Sequence, residues 1–415
     1  MGETGIGKQD SAGKGFNGLR LFIFLLYGGT SIFSNFFPLY LQEHGWSKAA
    51  IGTLLAVGPL LSIFANPFWG YWSDRLQNIR RILAFLLIGN MIVVQVLFQL
   101  NEYIWLFAAT SLLYFFQMPL SAQASSLILT SIQGTTYQFG AFRLYGSLGW
   151  ALTAVAAGPL FNALGVQTLH YVYACLLALT FASVLLLPQK PAKLDKSGKS
   201  DKPSGQASTY SARQMGRVLF SPTFAAFLVF SVLVSVPNAM NMSFVSIYIT
   251  ELGGSKSAVG WSIFMSSIFE IVVFLLFDRF LRRNMRFMFI CLTIVSALYA
   301  LRWLLMSIAT DPWHIIVIQA LHSITFGGFF YVGTQLTALL VPGKYLTTGQ
   351  SIYTLAWGGI SSMIAGFLGG TLYDSFGSTT MYLWGTLLAA LGTFGFAVLM
   401  ISVTRRQPDL NSENS

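Results

Sequence analysis

Apolar stretches of about 20 residues, broken only by short polar segments, recur from one end of this 415-residue chain to the other. A helix needs roughly that length to cross the hydrocarbon core of a bilayer. In lipid, every backbone polar group must be satisfied within the protein, so runs of this kind become spanning helices. Twelve spans are predicted, at about 20–41, 49–72, 82–100, 104–128, 140–162, 169–188, 222–248, 258–277, 287–308, 313–341, 350–372 and 380–403. With 54% hydrophobic and 9% charged residues and a mean hydropathy of +0.64, no water-soluble surface could be assembled. The expected fold class is an all-α membrane protein.

The basic residues set the expected orientation, because Lys and Arg stay on the cytoplasmic side of short loops. Lys48 and Lys256 fall on one face and Arg143 and Arg302 inside spans; the other Lys and Arg of the 24 collect on the opposite face. Both termini are therefore expected in the cytoplasm, and the protein in the cell (inner) membrane as a multi-pass chain. The net charge of +10 follows from this bias, with lipid headgroups as the partner and no role for nucleic acid. The first span is too long, and too weakly flanked by small residues, for a cleaved signal. Cys175 and Cys291 both lie in spans, which argues against a disulfide framework and against a Cys-based metal site. Neither a metal nor a cofactor is expected.

A repeat divides the chain. Tyr40-Leu-Gln-Glu43-His-Gly45-Trp-Ser47-Lys48-Ala-Ala50-Ile51-Gly52 returns as Tyr248-Ile-Thr-Glu251-Leu-Gly253-Gly-Ser255-Lys256-Ser-Ala258-Val259-Gly260, with every identity at one offset, 208 residues. In each copy it joins the first and second span of a six-span half, and the next span ends in Asp74-Arg75 or Asp278-Arg279. The expected layout is a cytoplasmic tail at 1–19, an N-terminal half at 20–188, a Lys-, Ser-, Gly- and Pro-rich cytoplasmic linker at 189–221, a C-terminal half at 222–403 and a tail at 404–415.

Gly70-Tyr-Trp-Ser-Asp74-Arg75, followed by Arg80-Arg81, resembles the signature loop of major facilitator superfamily transporters, with Gln77 where that loop usually has glycine. More narrowly the chain is similar to the lactose permease-like branch, which includes nucleoside and phenylpropionate proton symporters. The matching residues are Phe36-Phe37-Pro38, the run Phe139 to Trp150 containing Arg143, then Glu270, Arg302 and Leu321-His322. The resemblance implies two pseudo-symmetric six-helix halves rocking about a central small-molecule site, a monomer, and cytoplasmic gating by Gly70, Asp74, Arg75, Asp278 and Arg279. There are departures. The helix 4 glutamate that pairs with the arginine matching Arg143 is missing from Gln123-Ala-Ser125-Ser126, the second carboxylate is Thr325, and a lysine is Gln319.

Charged and titratable side chains at hydrocarbon depth are costly and usually face a wet cavity or one another. Arg143, Glu270, Arg302 and His322 are such residues. Helical spacing groups Ser262, Ser266 and Glu270; Gln319, His322 and Thr325; Arg143, Ser147 and Trp150; and Gln117, Ser121 and Ser125. Arg143, Trp150, Glu270, His322, Gln319 and Ser125 are the expected substrate contacts. Glu270, Arg302 and His322 are the expected proton-coupling set, with Arg302 moving toward or away from Glu270 to change its proton affinity. The plainer alternatives are a static Glu270–Arg302 ion pair, a core histidine and an arginine that snorkels to the headgroups. The expected function is proton symport of a small organic solute: an aromatic or organic acid, a nucleoside or a sugar. An exporter exchanging solute for protons and a non-transporting receptor or scaffold are the alternatives. No catalytic constellation is visible, since His44, His170 and His314 fall at helix ends or in loops, so an enzyme is not expected.

Overall fold

The computed structural model describes residues 6–133, 135–187, 221–281, 284–342 and 345–412. Among these residues there is no strand, and ten helices are long and apolar enough to cross a membrane. The first six are α1 (Ile6–Glu43), α2 (Lys48–Leu76), α3 (Ile79–Leu97), α4 (Tyr103–Ile132), α5 (Phe139–Leu164) and α6 (Leu169–Leu186). Then come α7 (Pro222–Glu251), α8 in two pieces (Lys256–Ile268 and Glu270–Phe280), α9 (Met285–Ser307) and α10 (Pro312–Leu340). The eighth crossing escapes the tally because it is interrupted at Phe269, leaving two short pieces. The last of the ten, Thr348–Val403, is 56 residues long, far beyond the thickness of a bilayer. It breaks at Gly377, where φ is 83° and ψ 172°, and so makes two crossings: α11 (346–376) and α12 (378–412). The twelve crossings expected from hydropathy are all present.

Helix extends beyond the expected spans at both ends. Residues 6–19, expected as a cytoplasmic tail, are helical and continuous with α1. Residues 404–412 extend α12 in the same way. The linker at 189–221 lies outside the described residues apart from Ser221, which stands at the N-cap of α7.

The repeat is also a repeat of backbone geometry. Gly45 and Gly253 end their helices in the left-handed region, at φ 82° and 84°, which costs glycine nothing. Ser47 and Ser255 then cap the next helix, their hydroxyls accepting from the N–H of Ala50 (3.2 Å) and Ala258 (3.3 Å). At Gln77 the chain is again left-handed, φ 47°, the one non-glycine residue so placed among those described. Asn78 starts α3 by accepting from the N–H of Arg81 at 3.1 Å.

The first six helices pack together, α1 against α5 and α6 and α4 against α2 and α3; Met285–Ser307 and Pro222–Glu251 both pack against Gly370–Ser412 in the second six. Between the halves, close approach is concentrated at the end that carries the repeated loops. A Cβ on Gly52 would strike the carbonyl of Gly366, one on Gly158 would lie 2.6 Å from Cα of Ser257, and one on Gly260 would strike the carbonyl of Ala154. Lys48 pairs with Glu251 at 2.8 Å and Lys256 with Glu43 at 2.9 Å. A Cβ at Gly140 or Gly358 would meet open space. In α11 the ladder is π-helical over Leu355–Ile360 and again over Ala365–Gly369.

Candidate functional site

A cavity of about 190 Å³ lies between the halves. One wall comes from α1 and α5 (Tyr27, Asn35, Arg143, Ser147, Trp150) and the other from α7, α8 and α10 (Met242, Ser266, Ser267, Glu270, Gln319, His322, Phe326). The stripe Arg143, Ser147, Trp150 faces this space as one side of α5, its residues being four and three apart. Arg143 does not turn to the headgroups. Its guanidinium lies over the ring of Tyr27, 4.2 Å from the centroid, and it lines the same cavity as Glu270 on the opposite wall.

Glu270 opens the second piece of α8, just after Phe269, whose φ of −88° and ψ of −5° leave the helical well. His322 stands beside it, with Nε2 3.7 Å from Oε1 of Glu270. That is too long for a hydrogen bond. The other ring nitrogen accepts from Arg302, whose Nη1 lies 3.1 Å from Nδ1. A guanidinium offers only donors, so Nδ1 must be the acceptor and Nε2 carries the hydrogen, directed at the carboxylate. Arg302 itself is fully buried. It also donates to Oε1 of Gln319 and to Oγ1 of Thr325, and stacks on Trp303 at 4.4 Å.

The static Glu270–Arg302 ion pair, the plainer alternative, is therefore corrected: among the described residues the two do not pair in this state. Arg302 sits behind His322 and Gln319 rather than against the carboxylate, and it does not line the cavity. Helix spacing identified the face of α10 but not which neighbour would meet the arginine on α9.

Ser125 is also corrected. Its hydroxyl donates to the carbonyl of Ser121 at 2.9 Å, and it is absent from the cavity wall. Gln117 on the same predicted stripe turns into the N-terminal half, its amide donating to the hydroxyl of Tyr173 at 3.2 Å. Ser262 is fully buried and does not line the cavity, while Ser266 and Ser267 reach it. Of the expected gating residues, Gly70 faces open space, Asp74 is exposed and makes no ion pair among the described residues, and Arg75 lies over Trp72 at 5.4 Å. Arg279 is exposed, and the side chain of Asp278 lies outside those described.

Sequence reasoning missed the contribution of α1. Tyr27, Ser31 and Asn35 are four apart and form one polar stripe: Tyr27 and Asn35 line the cavity, and Ser31 donates to the carbonyl of Trp150 at 2.8 Å. That spacing was available in the sequence. The apolar contribution of Met242 and Val245 from α7 left no such signal.

The comparisons with known proteins agree with this architecture. The model of the MFS_1 like family matches residues 16–384. The uncharacterized transporter YwbF of Bacillus subtilis (strain 168) is 25% identical over 398 residues, covering 95% of this chain and 94% of its own. The maltose permease of Geobacillus stearothermophilus is 26% identical, covering 91% of this chain and 93% of its own. The "Probable 3-phenylpropionic acid transporter" of Escherichia coli (strain K12) is 27% identical, covering 84% and 90%. Among solved structures, the nucleoside transporter NupG superposes with a TM-score of 0.75 over 92% of this chain and 98% of its own, at 15% identity, a likeness of fold. With twelve crossings, a repeat that relates two halves and a family match over most of its length, the chain belongs to the MFS_1 like family of membrane transporters.

Proposed function

We propose that this transporter takes up a small organic acid carrying one ring, together with a proton, by alternating access. The observation that carries the reading is the division of charge across the cavity: Arg143 on the N-terminal half faces Glu270 on the C-terminal half. Glu270, His322 and Arg302 belong to one half and move together as the halves rock. Arg143 belongs to the other, so it is the Arg143–Glu270 interaction that rocking changes. While Glu270 is ionised, it competes with any substrate carboxylate for Arg143. Once Glu270 takes up a proton, the guanidinium is free to hold a carboxylate by its planar pair of donors. Proton and anionic substrate then enter together.

The size of the site supports a single ring, since an engineered cavity of about 150 Å³ accepts benzene and this one measures about 190 Å³. Trp150 and Phe326 supply flat faces for such a ring. On this reading the end that carries the basic loops is cytoplasmic, and the end where Lys48 pairs with Glu251 and Lys256 with Glu43 is external. The test uses proteoliposomes with an imposed pH gradient and the ligand that most stabilises the purified protein in a screen of aromatic acids, nucleosides and sugars. Glu270→Gln should lose uphill accumulation and keep exchange of labelled for unlabelled solute. Full accumulation by that variant would remove Glu270 from the coupling mechanism.

A further inference from the structure

The repeated loop supplies one acid and one base to each half, and the structure crosses them. Lys48 of the first copy meets Glu251 of the second, and Lys256 of the second meets Glu43 of the first. This is the arrangement of an isologous two-fold interface, in which residue i contacts j and j contacts i, built inside one chain. The two arms differ in what surrounds them. Glu251 also accepts from the hydroxyl of Tyr373 at 2.6 Å and from the amide of Gln42 at 3.3 Å. Lys48 lies over the ring of Tyr373 at 5.1 Å, and its backbone N–H donates to Asp374 at 3.2 Å. Glu43 has, besides Lys256, a 3.5 Å contact from Gln167; the backbone N–H of Lys256 donates to Asn162 at 2.9 Å.

We infer that these crossed pairs are an external gate with unequal arms, in which Lys48–Glu251–Tyr373 is the principal lock and Lys256–Glu43 the secondary one. Both pairs are partly exposed, with lysine side chains 26% and 20% accessible, so each contributes modestly and yields to salt. That suits a gate, which must hold without trapping. Each glutamate has one long amide contact, from Gln42 or Gln167, but Tyr373 gives the first arm a short charge-assisted hydrogen bond that has no counterpart in the second. The inference rests on the alternating-access reading, but its readout is conformational and needs no transport.

The experiment places spin labels at Glu102→Cys and Thr310→Cys, exposed loop positions on opposite halves, in a background carrying Cys175→Ala and Cys291→Ala. Double electron–electron resonance reports the distance across the gate. Lys48→Met should raise the ratio of parted to closed ends about fivefold and Lys256→Met about twofold, the span expected of partly exposed pairs. The exchange Lys48→Glu with Glu251→Lys re-forms the ion pair but not the hydrogen bonds from Tyr373 and Gln42 to a carboxylate at 251, so it should restore closure only in part, and it keeps the test open should a single variant misfold. Equal shifts from the two lysines, no shift from either, or an exchanged pair that restores no closure at all would each overturn the inference. If solute flux is absent while the distances shift as stated, the gate stands and the transport reading falls.

Discussion

The two halves use the same loop, with a left-handed glycine and a serine cap in each copy, but they bury different side chains. The C-terminal half encloses a charged relay, with Arg302 fully buried and His322 and Gln319 nearly so. The N-terminal half buries uncharged groups, Asn90, Thr110, Gln117 and Gln123, and offers the cavity one arginine that remains exposed. A shared frame allows the halves to rock against each other about a common axis. On the proposed mechanism, this unequal content makes one half the store of the proton and the other the movable counter-charge.

The largest effect that sharpens this contrast comes from removing each arginine in turn. Arg302→Met leaves Oε1 of Gln319 and Nδ1 of His322 without their donor in a buried site, a loss of about 1–3 kcal/mol, read as a lower Tm in detergent. Arg143→Met should change Tm little yet abolish binding of the best ligand, and Arg143→Lys should recover only part of it. Equal thermal losses would mean that the two arginines play the same structural part.

Two glycines break the comparison along a different line. A Cβ on Gly149 would strike the carbonyl of Phe24 within the N-terminal half, whereas one on Gly52 would strike Gly366 across the gap. Gly149→Val should destabilise the folded half by about 1–3 kcal/mol through overpacking. Gly52→Val should fold normally, because the halves can part, and should lengthen the Glu102–Thr310 label distance. Loss of folding in both variants would show that the interface between halves is as unyielding as the interior of one.

The smallest effect concerns Gln77. Relief of its left-handed backbone by Gln77→Gly should add about 0.5–1 kcal/mol, the steric gain being partly offset by the greater freedom of glycine when unfolded. An increase in Tm of about 1 °C with unchanged ligand affinity is the expected result.

The frame was legible because its signals are local. Hydropathy gave the twelve crossings, and the 208-residue offset marked the loops whose glycines and serines recur in the structure. Stripes on α5 and α10 were legible for the same reason, since three- and four-residue spacings place side chains on one face. What spacing cannot report is how each helix is turned about its own axis relative to its neighbours. That rotation sends Gln117 to Tyr173 rather than to the cavity, and interposes His322 between Arg302 and Glu270. The crossing of the lysines and glutamates is likewise a property of assembly: each loop contains both partners in sequence, and only the juxtaposition of halves decides which of them meet.

The two π-helical stretches of α11 have a mechanical consequence. One end of this helix is held where Gly366 and Gly370 lie against α2, while a Cβ on Gly358 would meet open space. A π turn closes its ladder from i to i+5, and such turns concentrate at functional sites. Exchanging that closure for the ordinary i to i+4 alters the length and rotation of a helix without leaving its backbone groups unpaired, which within lipid would be costly. Two such turns ten residues apart give α11 compliance in the stretch that joins a fixed end to a free one. It can act as an expansion joint, whereas α8 carries a single break at Phe269.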